Sequence, residues 1–296
     1  MIRNFIKENG FECYYDASLK GYNTYKIDIK CKYLIFPKNR DELALLIKYL
    51  KESNIKYLVL GNGSNIIFSS IYYDGVIIRL DKLKKLVIND TTVEVEVGYS
   101  LIKLSMDISF CGLSGLEFAS GIPGQIGASV AMNAGAYNHS LSEIVESVEV
   151  LNSSGEFVIM TNSELDFKYR DSFFKKNKDY VIISCKLKLA KGDKKEMLEV
   201  ISRRRVRRIE SQPLSYPSAG SVFRNPEGMH AGELIENCGL KGYSIGGAMI
   251  SRKHANFIVN YDNASGNDIV ELINKIKVEV YKKYKVNLIL EQIIVD

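Results

Sequence analysis

The chain has 296 residues, long enough for two or three compact units with cores of their own. Apolar residues make up 46% and charged residues 25%, an ordinary globular composition, and no apolar run reaches the length of a membrane span. The formal net charge of +5 is mild: it suits an anionic small ligand and lacks the clustered excess of a nucleic-acid binder, so neither membrane nor nucleic acid is an expected partner.

In chain order, Met1 to Lys7 lacks the apolar region and small-residue cleavage site of a signal peptide, and a cytoplasmic address is the default expectation. Asp41 to Ser53 carries Leu43, Leu46, Ile47 and Leu50 at the spacing of an amphipathic helix. Tyr57 to Leu60 is predicted to be a short buried strand running into Gly61-Asn62-Gly63-Ser64-Asn65. Val76 to Leu80 and Thr92 to Val97 are predicted strands, the second alternating Val93, Val95 and Val97 with Glu94 and Glu96. Ser100 to Cys111 is predicted to be a helix, and a Gly-rich stretch follows at 112–136. Val145 to Leu151 and Glu156 to Met160 flank Asn152-Ser153-Ser154-Gly155, the residues of a hairpin turn. Tyr180 to Leu189 is a predicted strand, and Lys194 to Glu210 a charged helix. The loop from Gln212 to Pro226 precedes a short helix, His230 to Cys238. A long helix, Asp268 to Tyr284, has Ser265 and Asp268 placed to form a capping box. An apolar strand, Leu288 to Val295, ends the chain. The class is α+β, with a strand-rich unit to about residue 192 and a second unit from about 193.

Two glycine-rich loops stand out. Gly61 to Asn65 reads either as a polar turn or as backbone that cradles a phosphate. Gly121-Ile122-Pro123-Gly124-Gln125-Ile126-Gly127-Ala128, followed by Asn133-Ala134-Gly135-Ala136-Tyr137, is poor core material and good material for wrapping a flat or phosphorylated ligand. Neither matches the Gly-x-Gly-x-x-Gly dinucleotide fingerprint, which argues against a Rossmann unit. Arg203, Arg204, Arg205, Arg207 and Arg208 form the densest basic run, readable as a solvated helix face or a nucleic-acid patch. The five scattered cysteines lack a Cys-x-x-Cys pair and the three histidines lack ligand spacing, so no disulfide framework and no metal site is expected.

The two loops are joined by further motifs in order: Asn23 to Asp28, Tyr169-Arg170-Asp171-Ser172-Phe173, Gln212-Pro213, Pro217 to Pro226, Gly239 to Gly242, Ile245 to Ala248, Ser251 to Asn260, and Glu291. Over nearly the whole chain this series resembles the UDP-N-acetylenolpyruvoylglucosamine reductase family. The resemblance implies an FAD-binding domain of the vanillyl-alcohol-oxidase/PCMH-like type plus a smaller α+β substrate-binding domain. It divides the chain into a first FAD subdomain at 1–76, a second at 77–192 and the substrate domain at 193–296. It implies non-covalent FAD held at Gly61, Asn62, Gly63, Ser64, Asn65, Gly121, Ile122, Pro123, Gly124, Gly127, Asn133, Ala134 and Gly135. NADPH is the implied hydride donor, and a UDP-sugar enolpyruvyl ether the implied substrate, bound by Tyr169, Arg207 (with Arg208 as the alternative), Gln212, Arg224 and Asn225.

The implied catalytic set is Arg170, to stabilise an enolate, Ser221, to donate a proton, and Glu291. The apolar neighbours of Glu291 (Ile289, Leu290, Ile293) suggest a setting that favours the neutral acid. Gln125 departs from the small residue common at its place. The short run between Arg170 and Ser221 leaves no room for an inserted βαββ element, as in the family's type II form. Another flavoprotein of the same fold, such as an oxidase, is the alternative; His139 near the second loop matches no covalent attachment motif.

Overall fold

The spacing of apolar residues sets the helices. In the structure, a computed structural model describing residues 2–296, the helix Arg40–Glu52 buries Leu43, Leu46, Ile47 and Leu50. Each such side chain contributes about 1.5–3 kcal/mol on leaving water. The helix starts where the Asn39 side chain accepts the Glu42 N–H at 2.9 Å. Leu101–Phe110 begins in the same way, with Ser100 accepting from Lys103.

The chain forms two compact units. One comprises Met1–Tyr15, Tyr33–Gly61 and Gly75–Val206; the other Asp16–Lys32, Asn62–Asp74 and Arg207–Asp296. This differs from a division at 76 and 192. The segments Asp16–Lys32 and Asn62–Asp74 cluster with the C-terminal part because their backbone finds its partners there. Ile66–Phe68 pairs in parallel with Ile293–Val295, and the Asn260 amide donates to the Tyr25 carbonyl at 2.8 Å.

The first unit is built on a five-stranded antiparallel sheet in the order Phe157–Thr161, Val145–Leu151, Val181–Lys188, Thr92–Glu96, Leu86–Asn89. Val93 and Val95 are buried and Glu94 is exposed, as the alternation requires. The hairpin at 145–161 forms as expected, with Leu151 opposite Phe157. A four-stranded sheet runs Glu12–Ser18, Lys30–Phe36, Tyr72–Ile78, Tyr57–Val59. Its first two strands, and the helix Ile2–Glu8, were not expected. Glu12–Ser18 is largely exposed and so carries no inward–outward alternation to read.

In the second unit, Ser244–Ile245, Ala248–Ile250 and Ile258–Asn260 form an antiparallel sheet. The helix Gly266–Tyr284 packs on it. Gly266 comes so close to the Phe68 carbonyl that a Cβ would overlap it, so the first turn of this helix excludes any other residue. The expected final strand shortens to Ile293–Val295. Before it, Glu291 N–H donates to Val222 O, and Ile289 O accepts from Arg224 N–H, so this backbone pairs with a loop rather than a strand. No described helix is long and apolar enough to cross a membrane, and no group of three potential metal ligands gathers among the described residues.

The capping box at Ser265 forms as predicted, and its acid does a second job. Asp268 Oδ2 accepts from Ser265 N–H at 2.9 Å and from Gly247 N–H at 3.1 Å, tying the helix start to the sheet turn. Asp268→Ala is expected to destabilise the protein by about 1–2 kcal/mol. Urea unfolding measures this, and a change below the error of the method would remove the cap from the fold's determinants.

Candidate active site

In the first unit Gly61 meets the second glycine loop. A Cβ on Gly61 would lie 3.0 Å from the Ala128 Cβ and 3.6 Å from the Gln125 side-chain oxygen. A polar network missed in the sequence fixes this approach. Arg79, 5% exposed, donates to the carbonyls of Leu60 and Gly61. Its guanidinium also forks onto Asp81, at 2.9 Å through Nε and 2.7 Å through Nη2. Asp81 in turn accepts from Gln125 Nε2 at 2.8 Å. The departure at Gln125 therefore has a role: it ends a chain of hydrogen bonds that holds Leu60 and Gly61 to the second loop. Bidentate pairing of this kind orients as well as neutralises a buried arginine.

The second loop is less open than its composition suggests. The N–H groups of Gly124, Ile126 and Gly127 are engaged by the carbonyls of Ile122, Tyr99 and Val97. A Cβ at Gly124 would meet Ser129 Oγ at 2.5 Å, and one at Gly127 would meet Val97 Cβ at 2.9 Å. These glycines answer to packing within the protein.

Arg170 is also in this unit, at φ +54, an uncommon conformation for a long side chain and one that clusters at functional sites. Three hydrogen bonds join its loop to 131–135. Asn133 Nδ2 donates to Lys168 O at 3.0 Å, Arg170 Nη2 to Gly135 O at 2.6 Å, and Ser172 Oγ to Ala131 O at 2.6 Å. Asn133, Ala134 and Gly135 thus sit in the segment that aims the arginine. Tyr169 is exposed, its ring 5.4 Å from the Arg170 guanidinium carbon. Part of the basic run is accounted for here: Arg204 lies 4.5 Å over the Tyr137 ring.

Ser221 and Glu291 belong to the second unit, which brings them to neighbouring backbone. Glu291 N–H donates to Val222 O at 2.8 Å, one residue past Ser221. Asn65 brackets the same strand, its Nδ2 donating to Glu291 O at 3.1 Å and its O accepting from Ile293 N–H at 2.9 Å. The apolar surround expected for Glu291 is absent: Ile289 and Ile293 are exposed, because this backbone lies against the 222–224 loop with those side chains outward. Ser221 lines a cavity of about 310 Å³ with Asn225, His230, Glu233, Lys253 and His254. His254 Nδ1 accepts from Asn256 N–H at 3.2 Å, so the neutral ring carries its proton on Nε2. Burial, and then the nearby Lys241, lower its pKa below the usual 6.5.

The expected substrate residues fare unevenly. Gln212 Oε1 is buried with no hydrogen-bond partner among the described residues, an acceptor awaiting a donor. Asn225 is exposed, and its Oδ1 accepts from Ala231 N–H at 3.1 Å, which gives it a structural role at the start of the helix Ala231–Asn237. Arg224 is half-buried and Arg207 exposed. For a diphosphate cofactor the donor chemistry is present: the N–H groups of Asn62, Gly63 and Ser64 make no hydrogen bond to any described residue, and consecutive free amides suit phosphate oxygens.

Two family models match the chain: "FAD binding domain" over residues 31–161, and "UDP-N-acetylenolpyruvoylglucosamine reductase, C-terminal domain" over 212–295. Relatives carrying the name UDP-N-acetylenolpyruvoylglucosamine reductase include one from Caldanaerobacter subterraneus, 39% identical over 98% of this chain and 95% of its own. Another, from Anoxybacillus flavithermus, is 43% identical over 96% of this chain and 92% of its own. The crystal structure of the reductase from Thermus caldophilus superposes with a TM-score of 0.82 at 33% identity, covering 97% of this chain and 99% of that one.

Gly63 has φ +60, and a Cβ there would lie 2.5 Å from Tyr22 O and 2.8 Å from Asn23 Cα. Gly63→Ala is expected to destabilise the flavin-free protein by at least about 2 kcal/mol, whereas Gly220→Ala, at φ +74 with open space around it, should cost only the conformational strain of about 1–2 kcal/mol. Equal melting of the two variants would overturn the packing account of Gly63. His254 sets a pH dependence. Between its lowered folded pKa and the ordinary 6.5 the unfolded chain binds more protons, so stability rises with pH across that window and levels off above it. Urea midpoints of the parent should fall as pH drops below 6.5, and His254→Gln should flatten that slope; an unchanged slope assigns it elsewhere.

Proposed function

The chain belongs to the UDP-N-acetylenolpyruvoylglucosamine reductase family, and on that premise we propose that Arg170, Ser221 and Glu291 divide between them the work of reducing UDP-N-acetylglucosamine enolpyruvate to UDP-N-acetylmuramate, a step of peptidoglycan precursor synthesis. The protein is a flavin-dependent oxidoreductase. FAD, when bound, would supply the hydride chemistry that links NADPH to the methylene carbon of the enolpyruvyl group. Asn62, Gly63 and Ser64 would hold its diphosphate with their free amides.

Hydride addition builds negative charge on the substrate carboxylate as an enolate. Arg170 answers it with a permanently charged planar donor, oriented by Gly135 O. Ser221 supplies the proton to the carbon next to the carboxylate. A serine is a weak acid, and Lys253 and the Nε2–H of His254 line the same cavity as groups that can lower the cost of losing that proton. The observation that carries this reading is the bond from Glu291 N–H to Val222 O, which places two of the three side chains on adjoining backbone. Glu291 serves the substrate's carboxylate end as a hydrogen-bonding group. The open loop at Gly220, the exposed Asn225 and the lack of a βαββ unit between Arg170 and Ser221 among the described residues support the type II form. A cytoplasmic address fits a nucleotide-activated substrate and a nicotinamide reductant.

Stopped-flow absorbance separates the two half-reactions. Ser221→Ala is expected to bleach with NADPH at a rate within about twofold of the parent and to reoxidise with the enolpyruvyl sugar nucleotide at least about a hundredfold more slowly. Equal loss in both halves would make Ser221 structural. The backbone of Glu291 is pinned on both sides, by Val222 and Asn65, and cannot slide to make up for a lost methylene. Glu291→Gln should therefore outlast Glu291→Asp in the reoxidation step; the reverse order would show that the ionised acid is what matters.

A further inference from the structure

We propose that Tyr25 and Gln292 are positioning residues for the reduction: their buried hydrogen-bonded pair sets the loop that carries Ser221 against the segment that carries Glu291. The proposal rests on the reading of Ser221 and Glu291 given above.

Tyr25 has no exposed surface and Gln292 is 3% exposed. The Tyr25 hydroxyl donates to Gln292 Oε1 at 3.0 Å. Gln292 Nε2 then donates to Ala219 O at 3.0 Å and to Gly220 O at 3.4 Å. Gln292 directly follows Glu291, and Ala219-Gly220 directly precede Ser221. The orientation of the amide is forced. Turned over, Oε1 would face two carbonyl oxygens, so the carbonyls of Ala219 and Gly220 hold the amide with its –NH₂ toward the loop, and the Tyr25 hydroxyl completes the arrangement by donating to Oε1.

The loop depends on that donor. Gly220 has φ +74 and nothing within 4 Å of where a Cβ would be, so no side-chain packing restrains the residue before Ser221. On the far side, Val222 N–H donates to Asn256 O at 2.9 Å, and the Asn256 side chain pairs with Phe223 through both N–H and O. Residues 222–223 are thus held by Asn256, while 219–220 are held by Gln292; Ser221 lies between the two clamps. Tyr25 itself is fixed by its own turn. Asn23 Oδ1 accepts from Ile27 N–H at 3.0 Å, and Asn23 Nδ2 donates to Leu19 O and Ile27 O at 2.8 and 3.0 Å.

Displacing a reacting group by about 1 Å can lower a rate on the order of a hundredfold while leaving binding and fold in place. Tyr25→Phe removes one oxygen and leaves Gln292 Oε1 buried without its donor; Gln292→Leu removes the donor to the loop. Both holoenzyme variants would be examined by stopped-flow and by deuterium uptake of the 219–223 segment. Reoxidation by the enolpyruvyl sugar nucleotide should slow roughly ten- to a hundredfold, with reduction by NADPH within about twofold of the parent, and the segment should exchange faster. Reoxidation within about twofold of the parent in both variants, a parallel fall of both half-reactions, or unchanged exchange would each overturn the positioning role. If Gln292→Leu does not fold, Tyr25→Phe decides alone. Ser221→Ala run alongside separates the two levels. If it slows only reoxidation while the Tyr25 and Gln292 variants do not, the positioning role falls and the reading of Ser221 stands. If it slows both halves alike, that reading falls and the positioning role with it.

Discussion

The buried hydroxyl of Tyr25 organises the second unit. A polar group with no access to water must find a partner or cost about 1–3 kcal/mol, and the partner here is the amide of Gln292. That amide has donors of its own to satisfy, which it does on Ala219 and Gly220. The same turn reaches the first glycine loop, where Thr24 N–H donates to Gly63 O at 3.3 Å. It also takes a bond from Asn260 on the three-stranded sheet. Gly63 of the first glycine loop, the loop that precedes Ser221 and the end of the chain are thus referred to one short turn near the N-terminus. Burial keeps the Tyr25 hydroxyl protonated by pushing its pKa upward, so it remains a donor at any ordinary pH.

The first unit solves a comparable problem with charge. Arg79 is buried, and a guanidinium out of water needs both a counter-charge and acceptors for its N–H groups. Asp81 and the carbonyls of Leu60 and Gly61 supply them, and Gln125 adds a second donor to Asp81 Oδ1. Breaking one member strands the others, which is why a residue as unlike its small counterparts as Gln125 fits here. The glycines around it follow from the same closeness. Gly61 faces Ala128, and Gly127 faces Val97, at distances that leave no place for a side chain.

Most of the elements were legible because their signals are local. The stripe of Leu43, Leu46, Ile47 and Leu50, the alternation of Val93, Val95 and Val97, and the Ser265–Asp268 capping box depend on residues within a few positions of one another. The largely exposed strand Glu12–Ser18 has no such signature. The end of the chain misled for a related reason. Its run of Leu and Ile reads as a buried strand, yet Ile289, Ile293 and Ile294 point outward and only Ile293–Val295 pairs as a strand.

The sequence alone determined the class and the order of the motifs, which follow from residue type and spacing, and the family resemblance those motifs carry implied Arg170, Ser221 and Glu291 as the residues to examine. Tertiary structure alone decided what each is held by. Tyr25 meets Gln292, Asn65 meets Glu291, and Arg79 reaches across to Gly61 through contacts between residues far apart in the chain. It also decided that Asp16–Lys32 and Asn62–Asp74 fold with the C-terminal part. The physical reason is that a buried hydroxyl, amide or guanidinium requires a partner of a given chemistry without specifying where along the chain that partner lies.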